Sequence, residues 1–298
     1  MTVHRSIAGP SLIERAADFY DLAGPLRATA APAAPTDPPA AAPAIVELVE
    51  PKAARARAGH VIIDRDRLAA QGFIQPETPV GALSEEMRIV KRQLLQAMAE
   101  RRNDPPSRLL LICSAHPNEG KSFCALNLAL SLVGEEDVEV LLVDGDVVKP
   151  ELVSLLGVQD GPGLVDALGD PKIDVNDLIL ETDIEGLSLL RAGSRADNVT
   201  ELLASDHGAA VLASLTRHHP RRVVIMDSPP ALAASPASVL AGRAGEVILV
   251  ARADRTSESD LRKAAALVSS APSIRLLLNG VSLPGSARSF GSYYGYES

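Results

Sequence analysis

Tryptophan is absent from this 298-residue sequence and aromatic residues of all kinds make up 3%, with 4 Phe and 4 Tyr. A core of any size must therefore be built from Ala, Val, Leu and Ile, which suits buried parallel strands flanked by helices and disfavours an all-β architecture. The supply is ample, since 46% of residues are hydrophobic. Only two cysteines occur, Cys113 and Cys124, too few for a secreted disulfide framework. They fall in a predicted strand and the helix after it, so both read as reduced core residues of a cytoplasmic protein. No run of 18 apolar residues exists, and the start MTVHRSIAGPSLIERAADFY has no apolar core of signal-peptide length. A membrane span is not expected, and attachment to a membrane would need a partner. Excess positive charge is also missing: the formal net charge of −9 argues against non-specific nucleic-acid binding, which needs a basic surface.

Along the chain, residues 1–23 predict a short amphipathic helix, with Leu12, Ile13, Ala16, Phe19 and Tyr20 at helical spacing and Ser11 with Glu14 as a capping box. Residues 24–82 form an Ala/Pro-rich region whose prolines, densest from Pro25 to Pro51, break helices and ladders alike, so a flexible linker is expected there. A domain spanning 83–283 opens with a helix over Leu83–Arg102, Ser84 its expected N-cap and Pro105-Pro106 its stop. From Arg108 onward the aliphatic runs LLLICS, VEVLLV, LSLLRA, VVIMD, VILVA and IRLLLNG alternate with helical stretches. This is the pattern of an α/β fold with a doubly wound, mainly parallel sheet. Residues 284–298 have no apolar period and read as a mobile tail. Three of the chain's 4 tyrosines, Tyr293, Tyr294 and Tyr296, crowd into it, where a core-forming Tyr has no place.

Between the strand LLLICS and the helix FCALNLALSLV lies the loop AHPNEGKS, which fits G-x-x-x-x-G-K-[ST] except that Ala115 replaces the first glycine. Gly120 lets backbone N–H groups approach an anion, the helix N-terminus adds positive potential, Lys121 neutralises phosphate charge and Ser122 offers a hydroxyl to Mg²⁺. The string GKS alone is common; its place between strand and helix gives it weight. Asn118 is among the few non-Gly residues that visit left-handed backbone. His116 reads as a loop residue, and His218-His219 has no neighbours for a metal site. The nucleotide-binding set is thus Ala115, His116, Pro117, Asn118, Glu119, Gly120, Lys121, Ser122 and Phe123, with Asn279 at the end of the last strand. Two further strands end in carboxylates, at Asp144 and Asp146 and at Asp227, on the edge where α/β sheets build their ligand crevice. Isolated strand-end aspartates are often only caps; three converging on Lys121 and Ser122 would make a Mg·ATP site.

The loop at Ala115–Ser122, the D-x-D-x-x-K-P strand end at Asp144–Pro150 and the D-S-P-P element at Val223–Pro230 resemble the Walker A, A′ and B motifs of the bacterial tyrosine kinases, a P-loop family. With its tyrosine-rich end, the stretch from Ser84 to Ser298 looks like the tyrosine autokinases of exopolysaccharide and PEP-CTERM/exosortase loci. The resemblance implies catalytic roles for Lys121, Asp144, Asp146 and Asp227, metal binding by Ser122, Asp144 and Asp227, and autophosphorylation at Tyr293, Tyr294 and Tyr296. One of Asp144 and Asp146 would take the tyrosine proton. It further implies ATP and Mg²⁺ as cofactors, and a homo-oligomer phosphorylating its tails in trans. A membrane-bound polysaccharide chain-length determinant would be its activator, holding it at the inner membrane from the cytoplasmic side. The family carries an E-x-x-R-x-x-R helix at subunit contacts, matched here by Glu85, Arg88 and, with Lys in the final place, Lys91; the motif's position just before the domain favours that contact over i,i+3 pairing on a solvated face. Glycine is often found where Asn118 stands and arginine where Val148 stands, with Lys149 as a substitute charge one residue late. A positioning ATPase of the same superfamily usually carries a second lysine early in the loop, which Ala115 and His116 do not provide. A nucleotide-binding scaffold without turnover is the remaining rival.

Overall fold

The computed structural model describes residues 59–75, 81–101 and 103–281, all within the unit that runs from Lys52 to Ser298. The expected helix in 1–23, the linker as far as residue 58 and the tyrosine tail lie outside the described residues.

The chain enters through a two-residue strand, β1 (His60–Val61), and a short helix, α1 (Arg65–Ala70), capped by the Asp64 carboxylate, which accepts from the Arg67 N–H. Both lie in the region expected to be linker, so the ordered fold begins earlier than composition suggests. Leu68 and Phe73 explain why: each buries its side chain in the core shared with the strands. The next helix, α2 (Ala82–Glu100), is N-capped by Gly81, not Ser84, and no side chain caps it. A 3₁₀ turn over Pro105–Arg108 follows, as the two prolines require, and leads into β2 (Leu109–Ser114) and α3 (Lys121–Leu132).

The remaining elements are β3 (Glu139–Asp144), α4 (Leu152–Leu156), α5 (Leu164–Gly169), β4 (Leu180–Thr182), β5 (Leu187–Leu190), α6 (Val199–Ala204), α7 (Asp206–Arg217), β6 (Arg222–Asp227), α8 (Pro236–Ala241), β7 (Glu246–Arg252), α9 (Glu258–Leu267) and β8 (Ile274–Asn279). The described strands form one sheet in the order β1-β4-β5-β3-β6-β2-β7-β8. From β5 to β8 every neighbouring pair is parallel, and only β4 against β5 is antiparallel. The sheet is thus mainly parallel with helices on both faces, as the alternation predicted.

Alternation along each strand divides the core. Leu109, Leu111 and Cys113 of β2 pack on one face with α5, α7 and α9, whereas Leu110 and Ile112 pack on the other with α2, α3 and α4. Every residue of β2 is buried, which is why central strands read as unbroken aliphatic runs. The borders of the sheet differ: β8 exposes Ile274, Leu276 and Leu278, the last two more than half exposed at 58% and 57%. No helix among the described residues is long and apolar enough to cross a membrane.

Candidate active site

Parallel pairing of β3, β6 and β2 brings their carboxyl ends side by side. The register sets Asp144 opposite Asp227, and Asp227 opposite Ile112 two residues before the end of β2. The loop from Ala115 to Gly120 leaves β2 at this edge, where the chain crosses from one side of the sheet to the other.

Two left-handed residues shape the loop. Asn118 has φ 64°, the conformation its side chain tolerates, and Gly120 has φ 94°. Gly120 is required for a second reason: a Cβ there would lie 2.0 Å from Asn279 Nδ2. Asn279 instead donates to the Glu119 carbonyl at 3.0 Å, so it braces the loop from β8. The Glu119 side chain is buried and accepts from the His116 N–H at 2.9 Å and from the Thr256 hydroxyl. Arg252 donates to the Asn118 carbonyl at 3.1 Å. His116 faces Asp260, Nε2 to Oδ2 3.2 Å, and belongs to neither a metal cluster nor the carboxylate group below. Ala115 is fully buried and its methyl joins the core, so a side chain fits at the first loop position.

Lys121 opens α3 and is buried with its Nζ 2.8 Å from Asp146 Oδ2, 3.5 Å from Asp227 Oδ2 and 3.2 Å from Ser122 Oγ. Burial alone would lower the affinity of its ammonium for the proton, but Asp227 and Asp146 outweigh that and raise its pKa. Ser122 donates to Asp227 Oδ2 at 2.5 Å. The other oxygen, Oδ1, is buried with no hydrogen-bond partner among the described residues. Burial pushes the Asp227 carboxyl up to about 6, against the pull of Lys121 and of the Ser122 hydroxyl.

The paired aspartates of β3 do different things. Asp144 accepts from the Asp146 N–H at 3.3 Å and from the Leu152 N–H at 3.1 Å, one bond to each oxygen, which ties the strand end to α4. Burial, then the charge of Asp227, push its carboxyl up to about 7. Asp146 instead holds Lys121 with one oxygen, accepts from the Lys149 N–H with the other, and lines the cavity in front of the loop. Lys149 pairs with Glu151, Nζ to Oε1 2.6 Å, Val148 is 63% exposed, and all three line the same cavity.

That cavity, about 430 Å³, is lined by Lys121, Ser122 and Asp146, with Lys149 and Glu151 as further charged groups. Its other walls include Phe123, Leu155, Pro229, Pro230 and Ala233, and two residues from the entering segment, Gln71 and Phe73. Sequence reasoning missed these last two. An isolated Phe just after a six-residue helix carries no period, and only the fold brings it 50 residues along the chain to Phe123.

The charged trio of α2 divides. Glu85 and Arg88 form an i,i+3 pair at 2.7 Å. Lys91, expected as a subunit contact, is buried: its Nζ lies 2.7 Å from Glu135 Oε1 and donates to the Ser131 carbonyl at 3.0 Å, clamping α2 to the end of α3. The position matches the motif, but this side chain turns into its own domain, because a lysine there meets the carboxylate that follows α3.

No family profile matches the chain. It is 29% identical over 195 residues to CapB of Staphylococcus aureus, named a tyrosine-protein kinase, covering 65% of this chain and 82% of CapB. It is 31% identical over 180 residues to the tyrosine-protein kinase Etk of Escherichia coli K12, covering 60% of this chain. The chain spans only 24% of Etk's length. Among solved structures, the chimerical protein CapA2B2 superposes with a TM-score of 0.60 at 25% identity, over 76% of this chain and 95% of the other.

Proposed function

We infer that this chain is a protein-tyrosine kinase of the bacterial P-loop type, which moves the γ-phosphoryl of ATP onto Tyr293, Tyr294 and Tyr296 of its own kind. The observation that carries the reading is the buried Lys121 ammonium at the start of α3, bracketed by Asp146 and Asp227 where the loop meets an apolar cavity.

Backbone N–H groups of the loop and the N-terminal end of α3 receive the β- and γ-phosphates, and Lys121 exchanges part of its carboxylate pairing for the γ-phosphoryl oxygens. The unpartnered Oδ1 of Asp227 and the neighbouring Ser122 hydroxyl suit one edge of a Mg²⁺ ion. When bound, that ion would supply charge neutralisation at the phosphates.

The tyrosine phenol oxygen forms the new bond to the γ-phosphorus while the bond from that phosphorus to the bridging oxygen of ADP breaks. The phenol proton, with a pKa near 10 in an unperturbed tyrosine, goes to a carboxylate. We assign that role to Asp146, which lines the cavity; Asp144 is not among the cavity's lining residues and accepts from two backbone N–H groups that hold the strand end in place. We extend the proposal to the surroundings: a homo-oligomer exchanging tails in trans, activation by the cytoplasmic segment of a membrane-bound polysaccharide chain-length determinant, and a role in exopolysaccharide export.

Purified protein incubated with labelled ATP and Mg²⁺, followed by mapping of the label, tests the reading. Label on Tyr293, Tyr294 or Tyr296 supports it. Phosphate released to water with no phosphotyrosine means a positioning-type ATPase, and nucleotide bound without turnover means a scaffold.

A further inference from the structure

The segment that enters the fold before α2 is tied down along its length. The Ile63 N–H donates to Asp183 at 2.8 Å, and the Asp64 N–H to the Leu156 carbonyl at 3.2 Å. Leu68 is fully buried, the Phe73 N–H closes back on the Leu68 carbonyl at 3.0 Å, and the Ile74 N–H donates to Asn127 Oδ1 at 2.8 Å. Asn127 lies one turn after Phe123 in α3 and donates in turn to the Phe123 carbonyl at 2.9 Å. The result is that the Phe73 ring rests on the Phe123 ring, centroids 5.0 Å apart and planes inclined by 39°. Phe123 directly follows Ser122, so an otherwise peripheral segment touches the residue next to the phosphate site.

We propose that this segment is a working part of the acceptor site, in which Phe73 and Phe123 form the aromatic wall against which the ring of the incoming tyrosine lies. The proposal rests on the kinase reading above. Lys121, Ser122 and Asp146 line the cavity, as do Lys149 and Glu151, and Leu155, Pro229, Pro230 and Ala233 add apolar wall to the Phe pair. A side chain that meets both kinds of wall needs an apolar body and a polar tip, which describes a phenol. An aromatic ring gains edge-to-face or offset contact with the Phe pair beyond the burial of its area. Serine and threonine would leave those walls uncovered and their hydroxyls short of Asp146, so the wall selects tyrosine over the aliphatic hydroxyl residues.

The test uses the full chain with Tyr293, Tyr294 and Tyr296 replaced by Ser, so that its own tail neither accepts nor competes. A labelled peptide, Gly-Ser-Phe-Phe-Gly-Phe-Glu-Ser, reads docking by anisotropy in the presence of a non-hydrolysable ATP analogue and Mg²⁺. The same peptide with Tyr in place of Phe reads transfer. Phe73→Ala should weaken docking and raise the peptide KM about tenfold, with nucleotide affinity held to within about twofold. Phe73→Leu, which keeps the core filled, should lose a smaller share of docking and melt close to the parent. Absence of peptide docking to the parent overturns the proposal. So does unaltered docking by both variants, or an equal loss of nucleotide affinity, which would make the wall part of the nucleotide site. Docking that depends on Phe73 in a protein that never phosphorylates the Tyr peptide would uphold the acceptor pocket and reject the kinase.

Discussion

Lys121 stands between two buried carboxylates and the space in front of the loop, so its removal acts on chemistry and stability separately. Lys121→Met should reduce phosphate transfer by about 10² to 10³-fold or more, the scale set by losing one preorganised group at a developing charge. Circular dichroism should still report the α/β fold, while the melting temperature falls because Asp146 and Asp227 lose their counter-charge. Transfer at the parental rate by the folded variant would dismiss the site. Lys121, Ser122, Gly120 and the three aspartates were legible in the sequence because each sits at a fixed spacing from a strand end. The work of Glu119 was not legible: its hydroxyl partner, Thr256, is 137 residues away and belongs to the turn after β7. Nor could the sequence assign different duties to Asp144 and Asp146, since that depends on which backbone N–H groups the chain turns toward each carboxylate.

Elements with a strong period were readable and the short ones were not. The six aliphatic runs become strands within a residue or two of their expected bounds; in the central strands burial on both faces leaves an unbroken apolar signature, and β8 carries such a run although Ile274, Leu276 and Leu278 face water. Strands β1 and β4, two and three residues long, are too short for any pattern to emerge, and α1 is hidden in a region read as linker, in the stretch between Pro51 and Pro76. Helix α2 was readable in extent but not in orientation. Its Lys91, expected at a subunit contact, instead binds α2 to the end of α3 through Glu135 and the Ser131 carbonyl. Lys91→Ala should therefore cost about 2 kcal/mol in urea denaturation, less than a fully buried pair because Glu135 keeps some access to water. A change under about 0.5 kcal/mol, the range of ordinary surface substitutions, would mean the clamp is dispensable.

For the whole molecule, charge sets the expected behaviour of the proposed oligomer. The chain carries a formal −9 before any modification, and each phosphotyrosine adds roughly −1.5 to −2 at neutral pH. Three of them would bring about −5 to −6 onto a tail that must approach Asp146 and Asp227 to react. Release from the neighbour's site follows, and with it loss of the bridge between subunits. Light scattering at matched concentration should find the unphosphorylated protein larger than both the phosphorylated form and the Glu85→Ala/Arg88→Ala variant. Equal masses for the first two, where the unphosphorylated form is oligomeric, would exclude the switch and leave the kinase standing. The sheet adds a different asymmetry to any assembly. Among the described residues its β1 border is two residues long, whereas β8 offers six residues of backbone beside the exposed Ile274, Leu276 and Leu278. An extended chain could lengthen the sheet at that border and hardly at the other, so the molecule is one-handed as a template: crowding would favour growth in a single direction, outward from β8.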